Sequence, residues 1–200
     1  MDIQEIRVEA LAMADKIYEM LELIQKGFME NKLEILTQAM EKERDLNDSE
    51  KALTKKVLEL SVPNKSDNLR KDLLVLEQMI VTFERMGDEA SNLVERIEIK
   101  VSERLLFSEK GVEEFNETYG AMQKSVDMMR RFLKGGDTTL KDRIIDNGFH
   151  VKELVERYRK DHTDRLLSGL CTPMAANMFF DMLDYTGNLA RHASNVVKLF

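Results

Sequence analysis

The fold is decided by residues 69–101, LRKDLLVLEQMIVTFERMGDEASNLVERIEIKV, in which Leu69, Leu73, Leu76, Ile80, Phe83, Gly87, Ala90, Val94, Ile97 and Val101 recur in strict four-three alternation. At 3.6 residues per turn this spacing keeps every member on one side of a helix. It predicts one long helix with a single buried stripe. The SVPNKS stretch at 61–66 sets its start, since Pro63 cannot continue a preceding helix and Ser66 can cap the next one.

Five further segments carry the same three- and four-residue periodicity. Residues 3–28 hold Ile6, Met13, Ile17, Leu21 and Ile24, and residues 33–60 hold Leu36, Met40, Leu46, Leu53 and Val57. From about Ser102 the pattern restarts through Leu105, Val112, Phe115, Tyr119, Met122, Val126, Met129 and Leu133, ending at Gly135 and Gly136. Asp137 or Thr138 can cap a fifth helix carrying Leu140, Ile144, Val151, Leu154 and Tyr158 to about Leu167. Thr172 followed by Pro173 opens a sixth that runs to the chain end. Short connections between long helices make antiparallel neighbours. The expected fold is therefore all-α, six long helices as two tandem antiparallel three-helix bundles, residues 1–101 and 102–200. The order long, long, break, long occurs twice, and Gly87 and Gly187 match at the repeat offset, which suggests an internal duplication.

The composition agrees: 43% hydrophobic, only 2 Pro and 9 Gly, no Trp. Thirteen Met sit mostly on the apolar stripes and are read as core filling. The single Cys171 cannot form an internal disulfide and has no partner for a structural zinc site, which fits a reducing compartment. There is neither a signal-peptide pattern nor an apolar run of eighteen residues, so a cytoplasmic protein without membrane insertion is expected. A net charge of -7 argues against nucleic-acid binding, which needs clustered Lys and Arg. No nucleophile with a positioned base and no glycine-rich phosphate loop occurs, so catalysis has no candidate constellation.

The chemistry concentrates in the third helix. Glu84, Asp88 and Asn92 lie at i, i+4 and i+8 beside the apolar stripe. Two carboxylates one turn apart repel, and a hard metal ion bound through their oxygens would relieve this. On most helices the same spacing is simply a solvated acidic face. In the second helix Glu43, Asn47 and Glu50 interrupt the stripe between Met40 and Leu53, and in the fifth Asp142 and Asp146 repeat the acidic spacing. None of the three His lies in a Glu-x-x-His pattern, so the di-iron bundle motif is not met. His150 and His162 read as ordinary helix residues and His192 as a packing or hydrogen-bonding one.

The ERMGDEASN stretch at 84–92 resembles the LERIGDxAxN signature of the PhoU family, whose E(D)xxxD elements on two helices of a bundle bind metal ions. Asp142 to Asp146 resembles the other such element of a repeat. Residues 158–173 are similar to the region before the last helix in the PhoU-like domains of sodium/phosphate cotransporter relatives. The resemblance implies a non-enzymatic regulator of phosphate uptake that contacts a phosphate transporter subunit or a sensor kinase, and that forms a homodimer. It also implies a divalent or ferric ion (iron, zinc, manganese or magnesium) with Glu84 and Asp88 as primary ligands, supported by Glu43 and Asn47. The chain departs from the pattern in two places. Asn47 is a neutral, weaker ligand. In the last helix two registers compete: one sets Asp184, Gly187 and Asn188 against ExxGD, the other sets His192 and Asn195 against HAxNI and puts Gly187 and Arg191 at the acidic positions. Neither restores a carboxylate pair. A carboxylate-ligated bundle metalloenzyme and a metal-free helical scaffold remain the alternatives.

Overall fold

The computed structural model describes residues 2–61, 66–135 and 137–200. Six helices follow in order: α1 (Ile3–Glu30), α2 (Leu33–Leu60), α3 (Asp67–Ser102), α4 (Glu109–Gly135), α5 (Thr139–Leu167) and α6 (Pro173–Val197). The start of α3 is as expected, with the Ser66 hydroxyl accepting from the Leu69 N–H at 3.4 Å. Pro63, the other half of that expectation, lies outside the described residues, as does Gly136. Thr172 caps α6 in the same way, accepting from the Ala175 N–H at 3.2 Å. Of the two candidates at α5, Asp137 supplies the acceptor, taking the Thr139 N–H at 3.0 Å. α1 starts in a capping box that the periodicity did not show, Asp2 accepting from Gln4 and Glu5 reaching back to the Asp2 N–H.

One boundary differs from expectation. The apolar pattern restarts near Ser102, but α4 begins only at Glu109. Arg104 takes a left-handed backbone with φ of 51°, and the Leu105 N–H bonds back to the Lys100 carbonyl at 2.9 Å. This closes the end of α3 on itself and places Leu105 in a turn, although its spacing from Val112 suits a helix.

α1, α2 and α3 pack against one another, as do α4, α5 and α6. The two groups meet along α3 with α6 and α1 with α4, and their buried side chains form one continuous core. Paired polar contacts fix the directions. Lys56 with Glu9 and Lys42 with Glu19 make α2 antiparallel to α1. Arg96 with Asp181 and Glu89 with Asn188 make α6 antiparallel to α3. The Tyr119 hydroxyl, fully buried, donates to the Leu21 carbonyl at 2.8 Å and ties α4 to α1. Nine of the twelve methionines in the described residues are buried, as the sequence suggested. Among the described residues no helix is long and apolar enough to cross a membrane.

Among the described residues two charged side chains are buried, Lys100 and Glu114. Glu114, 1% exposed, takes a bidentate fork from Arg165 that links α4 to α5. His162 stacks flat on Phe179, ring centroids 4.2 Å apart, and burial together with Arg165 lowers its pKa to about 4. His162 therefore belongs to the core and is not an ordinary surface helix residue. His192, buried beside Arg191 and Arg85, is likewise lowered to about 4, while His150 is solvent-exposed.

α2 and α3 pack closely at Gly87. A Cβ there would lie 2.5 Å from Leu46 Cδ2, and Leu46 is itself 1% exposed and cannot swing clear. Alanine would gain about 1 kcal/mol of helix propensity, but forcing a methyl into a filled core costs about 1–3 kcal/mol. Gly87→Ala is thus expected to destabilise the protein by about 1 kcal/mol in urea unfolding, and Leu46→Ala in the same chain should recover the helix-propensity gain at that position.

Candidate functional site

The contact of Gly87 with Leu46 sets the register in which α2 and α3 present their polar residues. One turn to one side, the Ser91 hydroxyl meets Met40 Sδ at 3.5 Å. To the other side, Glu84 comes within electrostatic range of Glu50, so the antiparallel pair carries an acidic seam along its outer edge. Glu84 is half-buried and Asp88 exposed. The Glu84 carboxyl is held above the usual carboxylate range, first by desolvation, then by the charge and hydrogen bond of Asp88, and then by Glu50. Glu84 and Asp88 thus stand side by side, with Glu50 in electrostatic range across the helix pair. Glu50 is the residue that sequence reasoning passed over as a ligand, because only the glycine register shows which turn of α2 faces Glu84.

The other candidates are placed differently. Glu43 accepts from Asn47 Nδ2 at 2.5 Å, so these two residues satisfy each other. Glu50 accepts from the Thr54 hydroxyl at 2.8 Å. Asn92, eight residues beyond Glu84, is rotated about 80° around the helix, toward the α6 side. Its neighbour Glu89 faces α6, where Asn188 bonds to it and Arg191 lies near; desolvation nonetheless keeps its carboxyl raised. Asp142 and Asp146 are exposed on α5, and Asp146 shares a shallow surface depression with Lys124, Arg143 and His150. They do not meet Asp184. Gly187 packs on Val155, so the residues of α5 facing Asp184 to Asn188 lie near Val155, more than two turns further along. Asp184 instead pairs with Arg159.

The donor set at the seam suits a hard cation in part. Glu84, Asp88 and Glu50 supply carboxylate oxygens in a patch of negative charge that Arg85 offsets only in part, which is the chemistry a hard divalent ion takes. Among the described residues, however, no three His, Cys, Asp or Glu side chains are gathered closely enough to form a ready cage. Two carboxylates and solvent could hold a hydrated ion there.

The comparisons with known proteins fall on this geometry. The family model described as PhoU domain matches residues 10–97, which carry α1 to α3 and the acidic seam. Over the whole chain the fold is that of PhoU from Pseudomonas aeruginosa, with a TM-score of 0.90 at 16% identity, covering 98% of this chain and 93% of that one. The phosphate transport system regulatory protein PhoU from Streptococcus pneumoniae gives 0.85 at 11% identity over 98% and 92%. A PhoU-like protein from Shewanella oneidensis MR-1 gives 0.62 at 15% identity over 96% of each chain. No curated protein matches the sequence. The PhoU signature thus sits on α3 of the first bundle, and α4 to α6 share in the fold of the PhoU structures.

The raised Glu84 carboxyl has a defined pH signature. A carboxyl whose folded pKa lies above its unfolded value favours folding below the unfolded pKa and loses that contribution as pH rises through the folded one. At pH 7 ionised Glu84 therefore weakens the fold. Glu84→Gln is expected to raise Tm at pH 7 in chelator-treated protein, with the difference vanishing near pH 4; an unchanged or lower Tm at pH 7 would show that Asp88 and Glu50 do not crowd it.

Proposed function

We propose that this protein is a cytoplasmic, non-enzymatic regulator of phosphate uptake that works by contact with a phosphate transporter subunit or a sensor kinase. The observation that carries this reading is the PhoU domain match at residues 10–97, set in a chain whose fold matches PhoU structures from end to end. One of those, from Streptococcus pneumoniae, is described as a phosphate transport system regulatory protein. Long helices with charged outer faces suit a protein that acts by binding other proteins.

The same reading assigns Glu84 and Asp88, with Glu50 across the seam, to a hydrated divalent cation. Support comes from the crowding of their charges, which an ion would neutralise. Glu43 and Asn47 lie on the same helix as Glu50 and would serve as outer hydrogen-bonding partners. A hydrated ion on two or three carboxylates exchanges readily, so it would tune the surface of α2 and α3 and leave the fold unchanged.

Two measurements test these claims separately. In a strain lacking the protein, uptake of radiolabelled phosphate should no longer fall when external phosphate is plentiful; uptake that still responds normally would remove the regulatory reading. Elemental analysis after equilibration with magnesium or manganese should show bound metal in the wild type and a loss of most of it in Glu84→Ala/Asp88→Ala. Equal metal in both proteins would sink the ligand assignment without touching the regulatory one.

A further inference from the structure

In the second bundle a groove of about 590 Å³ runs between α5 and α6. Its floor is apolar and close to the backbone. Ile145 and Val155 line it, Gly148 and Gly187 contribute no side chain, and a Cβ on Gly148 would lie only 2.5 Å from Ser194 Oγ. Phe149 stands on the rim with 61% of its surface exposed. The walls are basic, with Lys152 and Arg159 from α5 and Arg191 and Lys198 from α6. Only Glu156 and Asp184 oppose them in the lining, and both are engaged, Asp184 by Arg159 and Glu156 by Lys152 at 3.6 Å. Arg191 bonds to Asn188 at 3.3 Å and lies near Glu89 of α3, and Lys198 makes no ion pair among the described residues, so within the lining four cations stand against two carboxylates.

This groove occupies the place of the acidic seam. Aligned on the glycine contacts, Gly87 on Leu46 and Gly187 on Val155, three positions reverse sign, while Asp184 keeps the acidic character of Glu84. Lys152 stands where Glu43 stands in the first bundle, Arg159 where Glu50 does, and Lys198 where Glu98 does. Asn188 replaces Asp88, and Arg191 replaces Ser91. The charge of the chain follows the same division. Residues 1–100 hold 22 Asp and Glu against 15 Lys and Arg, whereas residues 101–200 hold 15 of each, so the whole net charge of -7 belongs to the first half.

We propose that the α5–α6 groove docks an acidic amphipathic segment of a partner protein, its apolar side chains on Ile145, Phe149 and Val155 and its carboxylates against Arg191 and Lys198. The spread of the cations selects this occupant. From Arg191 to Lys198, the two cations that no carboxylate of the lining engages, is seven residues of helix, about 10 Å, longer than a single phosphate group and close to two helical turns. The volume admits several apolar side chains, which an inorganic anion would leave wet. Helix-in-groove recognition uses this combination of an apolar floor and charged walls. The inference rests on the protein-contact part of the regulatory reading and is independent of its phosphate part.

The test uses the full chain and a fluorescein-labelled peptide of about 18 residues with Leu on one helical face and Glu on the other, followed by fluorescence anisotropy. Saturable binding is expected, weakened about tenfold by Arg191→Glu/Lys198→Glu and also weakened by added salt. Phe149→Ser, which leaves every charge in place, should weaken it as well. Both variants alter exposed residues, and circular dichroism should show wild-type helix content and Tm. The peptide with Lys in place of Glu should prefer the charge-reversed protein. Failure of the wild type to bind, equal binding by the variants, or full displacement of the peptide by millimolar inorganic phosphate at constant ionic strength would overturn the proposal. Phosphate uptake measured in the same variants separates the two claims: peptide binding can fail while regulation persists, and regulation can fail while the peptide still binds.

Discussion

Everything in this structure depends on α3 burying two adjacent rows of side chains. The first row, from Leu73 through Ile80 and Phe83 to Ile97, fills the bundle with α1 and α2. The second, Met79, Met86, Leu93 and Lys100, repeats every seven residues and lies between the first row and the polar residues Arg85, Glu89 and Arg96 that reach α6. A helix with one stripe would make a lone three-helix bundle with a solvated back. The second row lets α6 pack there and draws the other three helices into one core. Lys100 ends that row as a buried cation, its ammonium held by Asn31 and lying 5.0 Å from the centre of the Phe28 ring, with burial lowering its pKa. Because the core is continuous, the second bundle cannot open without exposing this row of α3, and the two bundles should unfold together.

The architecture was legible because its signals are local. Four-three spacing, a Ser before α3 and a Thr-Pro pair before α6 state where helices run and where they begin. Helix number and fold class followed from those signals alone. The second row of α3 was harder to see, since Met79, Met86 and Leu93 fill gaps in a pattern already accounted for by stronger positions. The start of α4 was misplaced because the apolar period passes through Leu105 without marking the left-handed turn at Arg104.

The candidate site was only half legible. Glu84 and Asp88 share one helix, and their spacing could be read directly. Their partner Glu50 lies across a helix pair whose register is fixed by Leu46 filling the space above Gly87. The same kind of contact, Gly187 under Val155, keeps Asp142 and Asp146 away from α6 and sets Lys152 and Arg159 there instead. Repulsion between Glu84 and Asp88 is visible in sequence; the added field of Glu50 and the desolvation that raises the Glu84 carboxyl exist only in the packed form. One packing geometry thus supports two opposite chemistries, because register belongs to the buried residues and charge to their exposed neighbours.

The division of charge between the halves also makes the molecule an electrical dipole. A molecule with one anionic and one balanced half experiences a torque in the field of any charged surface, and orients before it touches. Near an acidic partner the first bundle is pushed outward and the second arrives leading, so productive encounters are enriched over random collisions and fade as salt shortens the reach of the field.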